Sequence, residues 1–154
     1  MMTFDRDKIE EILHRENLKI APLSKRVIAF LIDDCLISVL IFFMFFSQFS
    51  KADDQVAVVE LTRSLLIYVI LLRFVYQSLF TYLFGASLGK IIMKIRIIQI
   101  SDLDTPDLLN AICRSFFKEL GQFLMFIGYL FALGDPFLRT LHDRIVKSVV
   151  IMQD

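Results

Sequence analysis

Tryptophan is absent from this chain of 154 residues, cysteine and histidine occur twice each, proline three times, and 17 Lys plus Arg cancel 17 Asp plus Glu. Each scarcity removes a class of function. Cys35 and Cys113 lie far apart with no CxxC spacing, which gives neither a disulfide framework nor a thiolate metal site. His142 stands beside Asp143 with no HExxH and no second such pair, so no metal centre is expected. A balanced charge count offers nothing to nucleic acid, which is not among the expected partners. No nucleophile stands paired with a base and no cofactor loop is present, so the chain reads as not an enzyme and as needing no cofactor. In Gly85-Ala86-Ser87-Leu88-Gly89-Lys90 only three residues separate the glycines and neither Ser nor Thr follows Lys90. That segment reads as a tight turn, not a phosphate loop.

What the chain has in excess is apolar surface. Apolar residues make up 56% of it, mean hydropathy is +0.65, and 16 residues are Phe, against roughly 45–50% apolar in ordinary globular domains. Two runs, Val27 to Phe46 and Ser64 to Phe84, are long enough to cross a bilayer, since about 20 helical residues rise ~30 Å. The first run holds Asp33 and Asp34, and the second holds Arg73. A charge at that depth costs about 2.5–3.5 kcal/mol on insertion scales, so it is paired or used. Asp33 and Asp34 lie ~9–10 Å from the cytoplasmic edge of their run, and Arg73 lies ~16 Å from the edge of its own. A long arginine pointing back towards the cytoplasm bridges that gap, which predicts an Asp34–Arg73 pair.

Basic residues set the predicted orientation. Arg6, Lys8, Arg15, Lys19, Lys25 and Arg26 precede the first run, and Lys90, Lys94, Arg96 and Arg114 follow the second, whereas the loop from Ser47 to Arg63 carries Asp53, Asp54 and Glu60. The positive-inside bias places the N-terminus and residues 85 to 115 in the cytoplasm and the acidic loop outside. The first run is expected to stay as an anchor in a multi-pass protein of the inner membrane.

Smaller pieces follow from local patterns. Phe4, Ile9, Ile12 and Leu13 recur at helical spacing, with acids early and Arg15 and Lys19 late, which predicts an amphipathic N-terminal helix on the membrane surface within a segment 1–21. Ile91 to Ile100 and Val146 to Ile151 read as strands of a small cytoplasmic β-ribbon. Thr105-Pro106-Asp107 reads as a helix start, with Thr as cap and Pro first inside. Leu120 to Leu133 is free of charge but short, ~21 Å, and carries Gly121 and Gly128, so a re-entrant helix is favoured over a third full span. The fold class predicted is therefore all-α integral membrane, with two transmembrane helices, a short third membrane-embedded or re-entrant helix, the N-terminal helix and the ribbon.

Taken together, several pieces carry a resemblance. Arg26 precedes Asp33 by seven residues in an AxLID setting from Ala29. GASLGK follows the second run, then Arg114, then Arg139-Thr140-Leu141-His142-Asp143-Arg144 before the last strand. Over residues 22–152 this resembles the RDD family of small bacterial membrane proteins, named for one arginine and two aspartates. The resemblance implies that Arg26, Asp33 and Asp143 are those signature residues; this chain departs from it at Asp34, where similar proteins usually carry an apolar residue, and at Arg73, a charge that the family pattern does not lead one to expect. Gly85, Gly89, Lys90, Arg114, Arg139 and His142 then form a cytoplasmic structural motif around them.

Two functions fit. One is a subunit of a transporter or ion-translocating homo-oligomer, with Asp33 as the ionisable group in the membrane and Arg26 as its cytoplasmic partner, because two or three spans enclose no pathway alone. The other is a non-transporting scaffold or accessory protein in which the same charges hold helices together. The partners expected are the lipid bilayer and further copies or another membrane protein.

Overall fold

The computed structural model describes residues 2–51, 54–123 and 134–153. Its elements in chain order are α1 (Met2–Arg15), α2 (Leu23–Met44), α3 (Phe46–Phe49), α4 (Gln55–Phe84), α5 (Leu88–Ile92), β1 (Ile95–Gln99), α6 (Leu108–Phe123), α7 (Leu141–Ile145) and β2 (Ser148–Met152).

Helices α2 and α4 are long and apolar enough to cross a membrane, at 22 and 30 residues or roughly 33 and 45 Å. Both begin before the apolar runs read from the sequence, because backbone hydrogen bonding continues through the polar turns that lead in, and α2 ends at Met44, two residues before its run does. Pro22, held extended, sets the start of α2, and the Asp54 carboxylate accepts from the Ala57 N–H at 2.7 Å to cap α4. Gly85, at φ 63°, ends α4 in the left-handed region that only glycine enters freely. Away from the ribbon the two helices pack through Ile37, Ile41 and Leu65, with Phe45, Phe49, Leu61 and Leu72 around them. Their outward faces leave Leu31, Phe43, Leu66, Ile67, Leu71 and Val75 exposed, an apolar band suited to lipid.

The ribbon pairs β1 with β2 antiparallel, Ile95 opposite Met152 and Gln99 opposite Ser148. Strand alternation gives it two apolar faces. Ile95, Ile97 and Val150 pack on Ala21 and Ala29 beside α2, while Ile98, Val149 and Ile151 pack with Ile9 of α1 and Phe137. Ile9 is thus buried in protein, and Leu13 packs against the same cluster, so these two residues of the apolar stripe expected to lie on a membrane surface face the ribbon instead. The chain joining segment 1–21 to the rest is hydrogen-bonded to β2, through Ala21 N–H to Val150 and Met152 N–H to Lys19.

Two local expectations need correction, and a third falls mostly outside the described residues. Ile91 and Ile92 belong to α5, and β1 starts only at Ile95, after Lys94 turns the chain at φ 53°. The isoleucine content that favoured a strand here yields to the Ser87 turn, which starts a helical segment first. Helix α6 starts at Leu108, with the Asp107 carbonyl accepting from Ala111 N–H at 2.8 Å; Thr105 instead packs its methyl against Gly85. Of the stretch 120–133, only residues 120–123 are described, as the end of α6, and the rest lies outside the described residues.

Gly89 marks the closest approach of α5 to α2. A Cβ there would stand 2.1 Å from the Ala29 carbonyl oxygen and 3.0 Å from the Asp33 carboxylate. Backbone cannot yield as a side chain tip does. Gly89→Ala is expected to cost at least the ~1–3 kcal/mol of an overpacked core, read as a lower melting temperature in detergent, while Ala86→Gly does not reproduce the loss.

Candidate functional site

Asp33 is 3% exposed on the inner face of α2, and its carboxylate is fully engaged. Oδ1 accepts from the Tyr76 hydroxyl at 2.7 Å and the Gly89 N–H at 2.8 Å; Oδ2 accepts from the Ser87 hydroxyl at 2.5 Å and the Gln77 amide at 3.4 Å. The Tyr76 oxygen itself accepts from Leu88 N–H at 2.9 Å. The glycine-bearing turn after α4 therefore binds a carboxylate, the aspartate of its own chain. Four donors from α4, α5 and the turn between them meet one acceptor on α2, which ties three helices at one point.

Asp143 forms a second hub, buried at 1% exposure. Arg114 of α6 donates to its Oδ1 from NH2 at 2.6 Å and from Nε at 3.1 Å, and Arg26 lies 3.7 Å from Oδ2. The Thr140 N–H and hydroxyl donate to Oδ2 at 3.2 and 2.8 Å, closing a capping box at the start of α7. Because the Thr140 hydroxyl spends its proton on Asp143, it accepts from His142 Nε2, 2.8 Å away, so this ring nitrogen is the protonated one. Burial, reinforced by Arg114, Lys118 and Lys90, pushes the His142 imidazole down to about 3, against the pull of Asp143. Burial alone would raise the Asp143 carboxyl, but Arg114 first and then its other neighbours hold it well below the carboxylate range.

Arg26 is the correction. It does not meet Asp33: its guanidinium donates to the carbonyls of Leu138 at 2.6 Å, Ala21 at 3.1 Å and Val150 at 3.2 Å, beside Asp143. It clamps the head of α2 to β2. A planar fork with five donors suits several carbonyls at once, which is why arginine stands there. Arg139 likewise folds back on Asp135, donating from Nε at 2.9 Å and from its N–H at 3.0 Å, with Arg144 at 3.4 Å from the same carboxylate.

Asp34 and Arg73 do form an ion pair across α2 and α4, partly exposed. Beside it a cavity of about 10 Å³, room for one water, is lined by Phe30, Asp33, Asp34, Ile37, Arg73, Gln77 and Lys118. Among the described residues no three His, Cys, Asp or Glu side chains converge as a metal would require.

The signature residues thus fall into two hubs: Asp33 with Gly89 in one, and Arg26, Arg114, His142 and Asp143 in the other. Lys90 is buried near both, where desolvation and the neighbouring Arg114 and Lys118 hold its ammonium well below the ordinary lysine range. Gly85 shapes the turn. Tyr76, Gln77 and Lys118 were not singled out from the sequence. For one of them a signal existed, since Arg73 and Gln77 stand four apart on one face of α4, as polar residues inside an apolar helix.

Two expectations follow. Asp34→Asn is expected to destabilise the protein in detergent, by less than the ~3–5 kcal/mol of a fully buried pair, and Asp34→Leu with Arg73→Leu to recover much of it; additive losses would mean the residues act independently. The second concerns pH. The folded His142 value lies below the ordinary 6.5, so the unfolded chain binds more protons between those values and stability is lost as pH falls from 6.5 towards 3. Asp143, held below the ordinary 3.8, adds a loss of the same sign further down. At pH 5 the histidine accounts for about 2 kcal/mol, and His142→Asn should flatten the melting-temperature profile between pH 7 and 5.

The chain shows no significant match to a curated protein or to a solved structure. A family model does match, over residues 20–147, a stretch that contains Arg26, Asp33 and Asp143 together with the turns and cations that hold them. With most of its length covered by that one model, the chain belongs to the RDD family.

Proposed function

We propose that this RDD family membrane protein is a subunit of an ion-translocating homo-oligomer of the inner membrane, with its N-terminus in the cytoplasm. The observation that carries the reading is the cavity between the two long apolar helices and α6, where the charged side chains of Asp34, Arg73 and Lys118 border a water-sized space. Ionisable groups are kept in such a setting when they are used or paired. The Asp34 side chain is still 39% exposed although it lies within the long apolar run of its helix. A second copy packed on this face removes that charge from lipid, which supports assembly.

Asp33 is not the moving part in this reading. Its four hydrogen bonds all run from donor to carboxylate, so it anchors α5 and α4 and leaves ion handling to the cavity beside it. Orientation is supported by the basic residues gathered at the ribbon end, Lys25, Arg26, Lys90, Lys94, Arg96 and Arg114.

The test is flux of protons, sodium and potassium in liposomes containing the purified chain. The native protein is expected to exceed empty vesicles for at least one ion, and the Asp34→Leu, Arg73→Leu pair to lose most of that flux while remaining assembled. Assembly without flux of any of the three would overturn the reading in favour of a scaffold.

A further inference from the structure

Among the polar groups that border the cavity, Asp33 has its four donors and Asp34 has Arg73. Lys118 differs. It is 7% exposed and lines the cavity, and among the described residues its ammonium makes no hydrogen bond or ion pair; its described contact is the face of Phe30, 5.8 Å away. Gln77 borders the same space. Its amide nitrogen faces the Asp33 carboxylate, an acceptor only, so the oxygen is what remains, and that oxygen is buried with no donor. An ammonium that borders the cavity with no acceptor among the described residues, and a buried carbonyl oxygen with no donor, sharing room for one water, are the conditions under which an ordered water is held.

We propose that this cavity is a proton-binding site, in which Lys118 takes up and releases the proton through one water held between its ammonium and the Gln77 carbonyl. On release the N–H bond breaks with its electron pair left on nitrogen, and an O–H bond forms on the water. The groups facing Lys118 are Asp33 and Asp34 of α2, Arg73 of α4, Lys90 of α5, Arg114 and Glu119 of its own helix, and His142 of α7. The carboxylates favour the ammonium; the cations and burial favour the amine. Burial has the largest effect and the balance falls towards the amine, because among the described residues no carboxylate makes a direct hydrogen bond to the nitrogen. The inference deepens the transport reading and rests on it only for the use to which the proton is put.

The test uses the full chain with 13C at lysine Cε, in detergent micelles, the Lys118 signal being assigned by its loss in Lys118→Arg and, independently, in Lys118→Met. Its midpoint is expected roughly one pH unit or more below the ~10.4 of free lysine. Gln77→Leu, which removes the acceptor for the water, is expected to move it further down by about half a unit or more. A Lys118 signal that stays still until the free-lysine range would overturn the proposal, and a midpoint indifferent to Gln77→Leu would overturn the bridging water. Proton flux in liposomes separates the two readings. A titrating Lys118 in a protein that moves no ion overturns transport and leaves the site, whereas flux with a silent Lys118 overturns the site alone.

Discussion

A carboxylate inside an apolar helix pair must be given donors, and the packing around Asp33 follows from that need. Nothing on α2 itself supplies them. The donors come from α4, by Tyr76 and Gln77, and from the turn after it, by Ser87 and the Gly89 main chain. To deliver a main-chain N–H to Asp33, α5 must lie directly on α2, and the Ala29 and Gly89 contact is what permits it. Satisfying one buried charge therefore dictates where the chain leaves α4, how closely α5 approaches and where β1 begins.

The second hub works by the same logic at the edge of the helices. Asp143 caps α7, receives Arg114 from α6 and stands beside Arg26, which itself holds three carbonyls. Each charge serves several elements. Buried pairs of this kind add little net stability but forbid alternatives, since any other register strands a charge without its partner. The ribbon, two strands of five residues, is too small to stand alone. It holds because α1, α2 and the loop at Phe137 cover both of its faces.

Much of this was legible in the residues. Long apolar runs have few outcomes, so α2 and α4 follow from length and composition, and an arginine and an aspartate at compatible depths on neighbouring helices had reason to meet, as Asp34 and Arg73 do. The glycine-bearing turn was recognisable as a turn. Its ligand was not, because what a turn's N–H groups bind is set by whichever helix packs across it. Arg26 illustrates the same limit: its position before the first span is plain in the sequence, but its three carbonyl acceptors lie 5, 112 and 124 residues away.

By itself, then, the sequence determined the quantities that depend on local composition: two helices of membrane length, charges that needed partners, a family signature and a short ribbon. The tertiary structure decided the assignment of partners, giving Asp33 to hydroxyls and an amide backbone, Asp143 to Arg114, and Lys118 to a small cavity with no direct acceptor among the described residues. The reason is physical. Helix and span propensities are summed over neighbours along the chain, whereas the pairing of a buried charge depends on which groups, distant in sequence, packing brings within 3 Å, and only one arrangement satisfies them together.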